Sequence, residues 1–133
     1  IEASWTHLKK SSGSIVCISS ICGTNVIDKA PVTYGAAKAA LNHYVRAISK
    51  TLAKDNIRIN AVAAGNILFE GSAWEKKLHE NENNVKKMIQ QNVPLNNFGD
   101  IEDISNLVLY LSSPLSKFIT GSIYTIDGGQ SCK

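Results

Sequence analysis

Apolar residues along this chain alternate between short continuous runs and positions spaced by three and four. Three runs predict strands. Ser14-Ile15-Val16-Cys17-Ile18-Ser19-Ser20 is β-branched and apolar on both faces, as expected of a strand lying under helices on both sides. Ile57–Ala64 is a second run, bounded by Gly65, and Ser122–Asp127 a third, closed by Gly128-Gly129. Between Thr33 and Lys54 the residues Ala37, Leu41, Tyr44, Ile48 and Leu52 recur at helical steps in a stretch rich in Ala, Leu and Lys, and Asp55-Asn56 ends it. A further helix is predicted after Asp100, a plausible N-cap with Asp103 three residues on. Its apolar stripe is Ile104, Leu107, Val108 and Leu111, and Pro114 terminates it.

The remaining segments are less regular. Residues 1–10 read as the end of a helix, stopped at Ser11-Ser12-Gly13 by a glycine that tolerates left-handed backbone angles. From Ile21 to Val32 the chain turns polar, with Gly23, Asn25, Asp28 and Pro31 marking a loop, and Pro31 suits a helix start. Asn66–Gln91 reads as a loop and helical segment. Its Trp74–Gln91 portion, dense in Glu, Lys and Asn, predicts a largely exposed helix pair or a mobile flap. Strands separated by helices argue a parallel α/β layer structure, since parallel neighbours need crossover connections that cover the faces of the sheet. Residues 1–133 read as one domain.

Composition narrows the function. With 44% hydrophobic and 19% charged residues the chain is an ordinary globular one, which excludes a disordered tail, a collagenous repeat or a coiled coil. Its apolar runs fall far short of the roughly 18 residues that cross a bilayer, so no membrane association is expected. The 14 Lys and Arg against 11 Asp and Glu leave a net charge of +3. That excess is spread out, with doublets only at Lys76-Lys77 and Lys86-Lys87 in a helical region, so no nucleic-acid footprint is expected. Cys17, Cys22 and Cys132 make neither a paired disulfide framework nor a metal spacing, and His7, His43 and His79 are scattered. Reduced thiols, a cytoplasmic location and no metal follow as expectations. The opening residues, without an initiator Met, a basic start or an apolar core, do not read as a signal peptide; the chain is expected to begin mid-element.

Open α/β sheets bind ligands at the carboxyl ends of their strands. Ser20 ends the first predicted strand, Tyr34 and Lys38 lie on the helix that follows, and Gly65-Asn66 ends the second strand. Residues four apart stack on one helical face, so the Tyr34 hydroxyl and Lys38 ammonium can share a site. A phenol, with a pKa of about 10, is a poor proton donor at neutral pH, and a cation held beside it favours the phenolate. Each piece alone is common: Tyr with Lys four residues later is more often a solvated helix face, and Ser at a strand end is more often turn chemistry.

The joint pattern is more specific. Ile15–Gly23, then Tyr34-Gly35-Ala36-Ala37-Lys38-Ala39-Ala40-Leu41, then Ile57–Gly65, and finally Ile119-Thr120-Gly121 with Asp127-Gly128-Gly129 resemble the short-chain dehydrogenase/reductase family in order and spacing. The resemblance runs from before Ser14 to Gly129. It implies a partial Rossmann-like, doubly wound parallel sheet with the carboxyl-terminal strands and crossover helices. It also implies an NAD(P)-dependent oxidoreductase that interconverts a carbonyl and a secondary alcohol. By resemblance Tyr34 is the catalytic acid/base, Lys38 binds the nicotinamide ribose while tuning Tyr34, and Ser20 holds the substrate oxygen. Gly65 and Ile67 lie at the nicotinamide, Ile67 where the family's backbone meets the carboxamide. A small carbonyl or alcohol substrate, 3-oxoacyl or sugar-like, and a homodimer or homotetramer associating through the Thr33–Lys54 helix are implied with it.

Three departures bear on that picture. Ala64-Gly65 stands where the family usually has Pro-Gly, which loosens the turn that Pro would fix. No threonine follows in Asn66-Ile67-Leu68-Phe69-Glu70-Gly71-Ser72 at the place of the family's carboxamide-binding residue. The Gly-rich first βα turn that receives the pyrophosphate is not among these residues. The chain therefore reads as the carboxyl-terminal half of a reductase, expected to be inactive by itself and to leave Ser14–Ser20 at a sheet edge. The alternative is a truncated or degenerate member serving as an interaction or scaffold module.

Overall fold

The computed structural model describes residues 1–132. Its strands are β1 (Ser14–Ser20), β2 (Arg58–Ala64) and β3 (Ile123–Ile126), all parallel and in the order β1-β2-β3. β1 pairs with β2 along its whole length, Ser14 opposite Arg58 through to Ser20 opposite Ala64. β3 pairs with the second half of β2, Ala61 opposite Ile123 through to Ala64 opposite Ile126. The three carboxyl ends thus finish in one row.

Helices α1 (Trp5–Ser11), α2 (Val32–Ala53), α3 (Ala73–Asn92) and α4 (Ile101–Ser112) surround the sheet. On one face Val45 and Leu52 of α2 pack against Ile57, Ile59 and Ala61, with Trp5 and Leu8 of α1 and Ile15, Cys17 and Ile123 closing around them. Each fully buried Leu or Ile there contributes about 1.5–3 kcal/mol. On the other face α4 docks by its carboxyl end. The Leu111 carbonyl accepts from Ser14 Oγ, Arg58 Nη1 and Ser116 Oγ, each at 2.9 Å. A guanidinium at that end also complements the negative pole of the helix.

Several boundaries have visible causes. At the start of α4, Asp103 N donates to Asp100 Oδ1 and Asp100 N donates to Asp103 Oδ2, completing the reciprocal cap that the sequence suggested. α2 ends through Asn56, which takes a left-handed φ of 58°. α1 also stops on a left-handed residue, but it is Ser12 (φ 49°) and not Gly13. Gly13 serves by being small: a Cβ there would come within 3.2 Å of the Leu8 backbone, against which its own N–H is bonded.

One expectation needs correction, and two others are sharpened. The α2 side chains buried against the sheet are Asn42, Val45, Ser49 and Leu52, while Ala37 and Tyr44 of the expected stripe are exposed. Gly121 makes the room for Ser49, since a Cβ on it would lie 2.7 Å from Ser49 Oγ. β1, which reads as a strand made to lie under helices on both sides, has the edge position expected of it in this chain, with Ile18 49% exposed there. The charged segment α3 is two helices joined at a kink at Asn81 (φ −159°, ψ 83°), whose Oδ1 accepts from Asn84 N and restarts the helix, so it is the largely exposed helix pair, one of the two possibilities expected of it. Val85 and Ile89 are buried and anchor the second helix, while most of its other side chains are exposed.

Candidate active site

Ser20 is the last residue of β1 and caps a 3-10 turn, Ile21–Gly23, its Oγ accepting from Cys22 N at 3.2 Å. That turn lies directly on the first turns of α2. A Cβ on Gly23 would sit 2.6 Å from the Lys38 carbonyl carbon and 2.8 Å from Ala39 N, both backbone atoms that cannot move aside. Gly35 receives the turn from the other side, its missing Cβ 3.0 Å from the Cys22 carbonyl. Glycine at both positions brings Cys22 and Gly23, at the end of the Ser20 turn, against the helix from Gly35 to Ala39. The sequence reading missed this pair, because close backbone approach leaves no periodic signature.

On α2 the Lys38 ammonium lies 5.6 Å from the centre of the Tyr34 ring. It donates to the Ile18 carbonyl at 2.9 Å, on the open edge of β1. Lys38 is half-buried and Tyr34 is exposed. Burial of Cys17, on the same strand, pushes its thiol pKa up, and the Lys38 charge opposes the shift without cancelling it. Cys17 is therefore a packing residue with little thiolate character.

Gly65 and Ile67 sit across the sheet end. The Ser20–Ala64 register puts Gly65 one residue beyond Ser20's partner. A Cβ on Gly65 would strike Asp127 Cα at 2.7 Å, so glycine lets the ends of β2 and β3 close on each other, with Gly65 N bonded to the Ile126 carbonyl at 2.8 Å. Ile67 bridges Gly99 in parallel, through Leu68 N to the Gly99 carbonyl and Gly99 N to the Asn66 carbonyl. In such a bridge the bonds belong to the flanking residues, so the N–H and C=O of Ile67 itself point away from Gly99. The sequence-identified residues thus form two groups, Ser20–Tyr34–Lys38 at β1 and α2, and Gly65–Ile67 at the ends of β2 and β3.

A model of the family described as enoyl-(acyl carrier protein) reductase matches residues 1–131. This chain belongs to the short-chain dehydrogenase/reductase family. It is 32% identical to the isoepoxydon dehydrogenase of Penicillium expansum over 130 residues, 97% of this chain and 50% of that protein. Among solved structures it superposes on 4-hydroxyisoleucine dehydrogenase complexed with NADH with a TM-score of 0.87 at 30% identity, covering 99% of this chain and 53% of that one. ElxO with NADP bound gives a TM-score of 0.87 at 29% identity, over 99% of this chain and 52% of that one. The chain spans about half the length of the relatives it matches. Within this family the three strands and their helices are part of a Rossmann-like, doubly wound parallel sheet. No helix among the described residues is long and apolar enough to cross a membrane.

Proposed function

We propose that the protein carrying this chain is an NAD(P)-dependent oxidoreductase that interconverts a carbonyl and a secondary alcohol, with Tyr34 as its acid/base. The observation that carries this reading is the Tyr34–Lys38 pair, held at the carboxyl end of the sheet by the Lys38 bond to Ile18 and set beside the Ser20 turn by Gly23. The residues suit a nicotinamide dinucleotide. An ammonium has three hydrogens, so Lys38 keeps two for ribose hydroxyls after bonding Ile18. Ile67 turns its own N–H and C=O away from Gly99, where they can meet a carboxamide. Solved neighbours hold NADH in one case and NADP in another. When bound, the nicotinamide supplies or accepts the hydride.

This chain's side chains do the rest. Ser20 caps its turn with an oxygen lone pair, which leaves its hydroxyl hydrogen to orient the substrate oxygen. Tyr34 gives that oxygen its proton in reduction and takes it back in oxidation, and Lys38 keeps a positive charge beside the phenol while it does so. 3-Oxoacyl thioesters and sugars are the substrates to screen first. A cytoplasmic homodimer or homotetramer, meeting through the exposed side of α2, completes the proposal.

Tyr34→Phe in the whole protein tests it. The substitution should lower kcat about 10²–10⁴-fold while leaving NAD(P)H binding nearly intact. Lys38→Ala should damage both. A Tyr34→Phe enzyme that turns over at close to the wild-type rate refutes the assignment.

A further inference from the structure

Ser20 and the Tyr34–Lys38 pair belong to different elements, and the turn between them is a closed unit. The carbonyl of buried Ile21 accepts from Thr24 N at 3.1 Å, from Thr24 Oγ1 at 3.0 Å and from Asn25 N at 2.8 Å. Ser20 Oγ is tied to the same turn by Cys22 N. A turn bonded in this way moves as a body, and the Ser20 hydroxyl moves with it.

That body rests on α2 through Gly23. A Cβ there would meet three atoms at once, the Lys38 carbonyl carbon at 2.6 Å, Lys38 Cβ at 2.7 Å and Ala39 N at 2.8 Å. Two of them are main-chain atoms of a helix that Val45 and Leu52 anchor in the core. Carbon atoms in ordinary contact stand about 3.5 Å apart, so a methyl group at residue 23 drives the lighter partner, the turn, away by about 0.9 Å. The contact at Gly35 is looser. A Cβ there would lie 3.0 Å from the Cys22 carbonyl oxygen alone and needs a shift of about 0.5 Å.

We propose that Gly23 is a positioning residue of the reaction: by lacking a side chain it sets how close the Ser20 hydroxyl stands to Tyr34 and Lys38, so that the group orienting the substrate oxygen and the group exchanging its proton meet one atom. The proposal rests on the reading of Ser20, Tyr34 and Lys38 given above. A misplacement of about 1 Å at reacting groups costs on the order of 10²-fold in rate. Dinucleotide binding does not share that loss, because Lys38 stays with the anchored helix and Gly65 and Ile67 lie at the end of the neighbouring strand.

The test is a double-mutant cycle in the whole protein, read as kcat, as NAD(P)H affinity by cofactor fluorescence and as Tm. Gly23→Ala should lower kcat about 10–100-fold while NAD(P)H affinity changes less than about 3-fold. Gly35→Ala should lose less, under about 10-fold, in keeping with its smaller shift. Gly13→Ala is the control for lost stability alone: its Cβ would lie 2.6 Å from Leu8 Cδ2 at the opposite end of β1, so Tm should fall with kcat unchanged within about 3-fold. On a Ser20→Ala background Gly23→Ala should cost less than about 3-fold more, because the group it displaces is already gone, a non-additivity that a merely structural role does not produce. Should Gly23→Ala fail to fold, Gly35→Ala takes its place in the same cycle. Losses that multiply in full, or a glycine variant whose kcat falls no further than that of Gly13→Ala, overturn the proposal and leave the Ser20 reading standing. A Ser20→Ala enzyme with wild-type turnover overturns the Ser20 reading, and the proposal with it.

Discussion

Asn60 is fully buried in the middle of β2, yet it is polar, and its side chain bonds to nothing on the neighbouring β1. Its Nδ2 donates to the Ile119 carbonyl and its Oδ1 accepts from Ser122 N, both at 3.0 Å. The Ile59 carbonyl is taken by Gly121 N, so the Asn60 side chain supplies the acceptor for Ser122 N and helps hold the incoming strand in register. Asn60→Leu removes both bonds. Ile119 keeps a weaker donor, Arg58 Nη1 at 3.4 Å, so its carbonyl is not abandoned. Ser122 N is left with no partner. Losing the bond to Ile119 costs about 0.5–1.5 kcal/mol and orphaning a buried N–H about 1–3 kcal/mol. Water can reach partly buried Ser122, which places the sum in the lower part of that range, about 1.5–3 kcal/mol. A fold stable by about 5–15 kcal/mol survives the loss, so it is measurable by urea titration of the whole protein followed by far-UV circular dichroism. Amide exchange adds a local readout. Ala61 N, bonded to the Ser122 carbonyl at 2.9 Å, and Gly121 N, bonded to the Ile59 carbonyl at 2.7 Å, should exchange faster, while the β1–β2 ladder stays protected. A loss under about 0.5 kcal/mol with unchanged exchange at both amides would show that Asn60 does not hold β3 in place.

Two further outcomes concern a buried amide and a carboxylate at the surface. Asn42 is 2% exposed with neither amide atom partnered, so Asn42→Leu should stabilise the protein by about 1–3 kcal/mol; a fall in Tm instead would show that its amide is satisfied, for instance by an internal water. The Asp55 carboxyl is held below its ordinary 3.8 by hydrogen bonds from Lys9 and Trp5 and by the Lys9 charge, so its contribution is complete above that value and is lost as pH falls through the lower folded-state value. Asp55→Asn should accordingly be less stable than wild type at neutral pH and converge with it in strong acid; a gap that stays constant down to acid pH refutes the link.

What could be read from the sequence was what is written locally. A run such as Ile15–Ile18 fixes a strand, Asp100 with Asp103 fixes a helix start, and a Tyr-xxx-Lys spacing fixes two side chains on one face, because each depends on residues within a few positions. The expected strands and α4 accordingly agree with the observed ones to within a residue or so at each end. What escaped depends on pairs far apart in the chain. Gly23 matters because the Lys38 backbone lies against it, Gly65 because of Asp127, and Gly128 because Val93 packs where its Cβ would be. None of these leaves a periodic trace.

The corrected stripe on α2 shows how the site grows out of the core. The helix buries Leu52, Ser49, Val45 and Asn42 against the sheet, and the same line, continued by four residues at a time, runs through Lys38 to Tyr34. Because α2 runs back along the sheet from the carboxyl end of β1, that line leaves cover at its amino-terminal end. Exposure rises along it in that order, from the buried Asn42 to half-buried Lys38 and exposed Tyr34. The face that forms the core for three turns is therefore the face that carries the phenol and ammonium beyond the last strand residues, next to Ser20. Tyr34 and Lys38 owe their placement to Val45 and Leu52, whose packing fixes the rotation of the helix. The stripe at Ala37, Leu41, Tyr44 and Ile48 lies about one residue, or 100°, away around the axis. A rotation that buried Tyr44 instead would turn both Tyr34 and Lys38 off the carboxyl end of β1 and break the Lys38 bond to Ile18. Gly121 helps to set that rotation, because a Cβ there would lie 2.7 Å from Ser49 Oγ on the buried line.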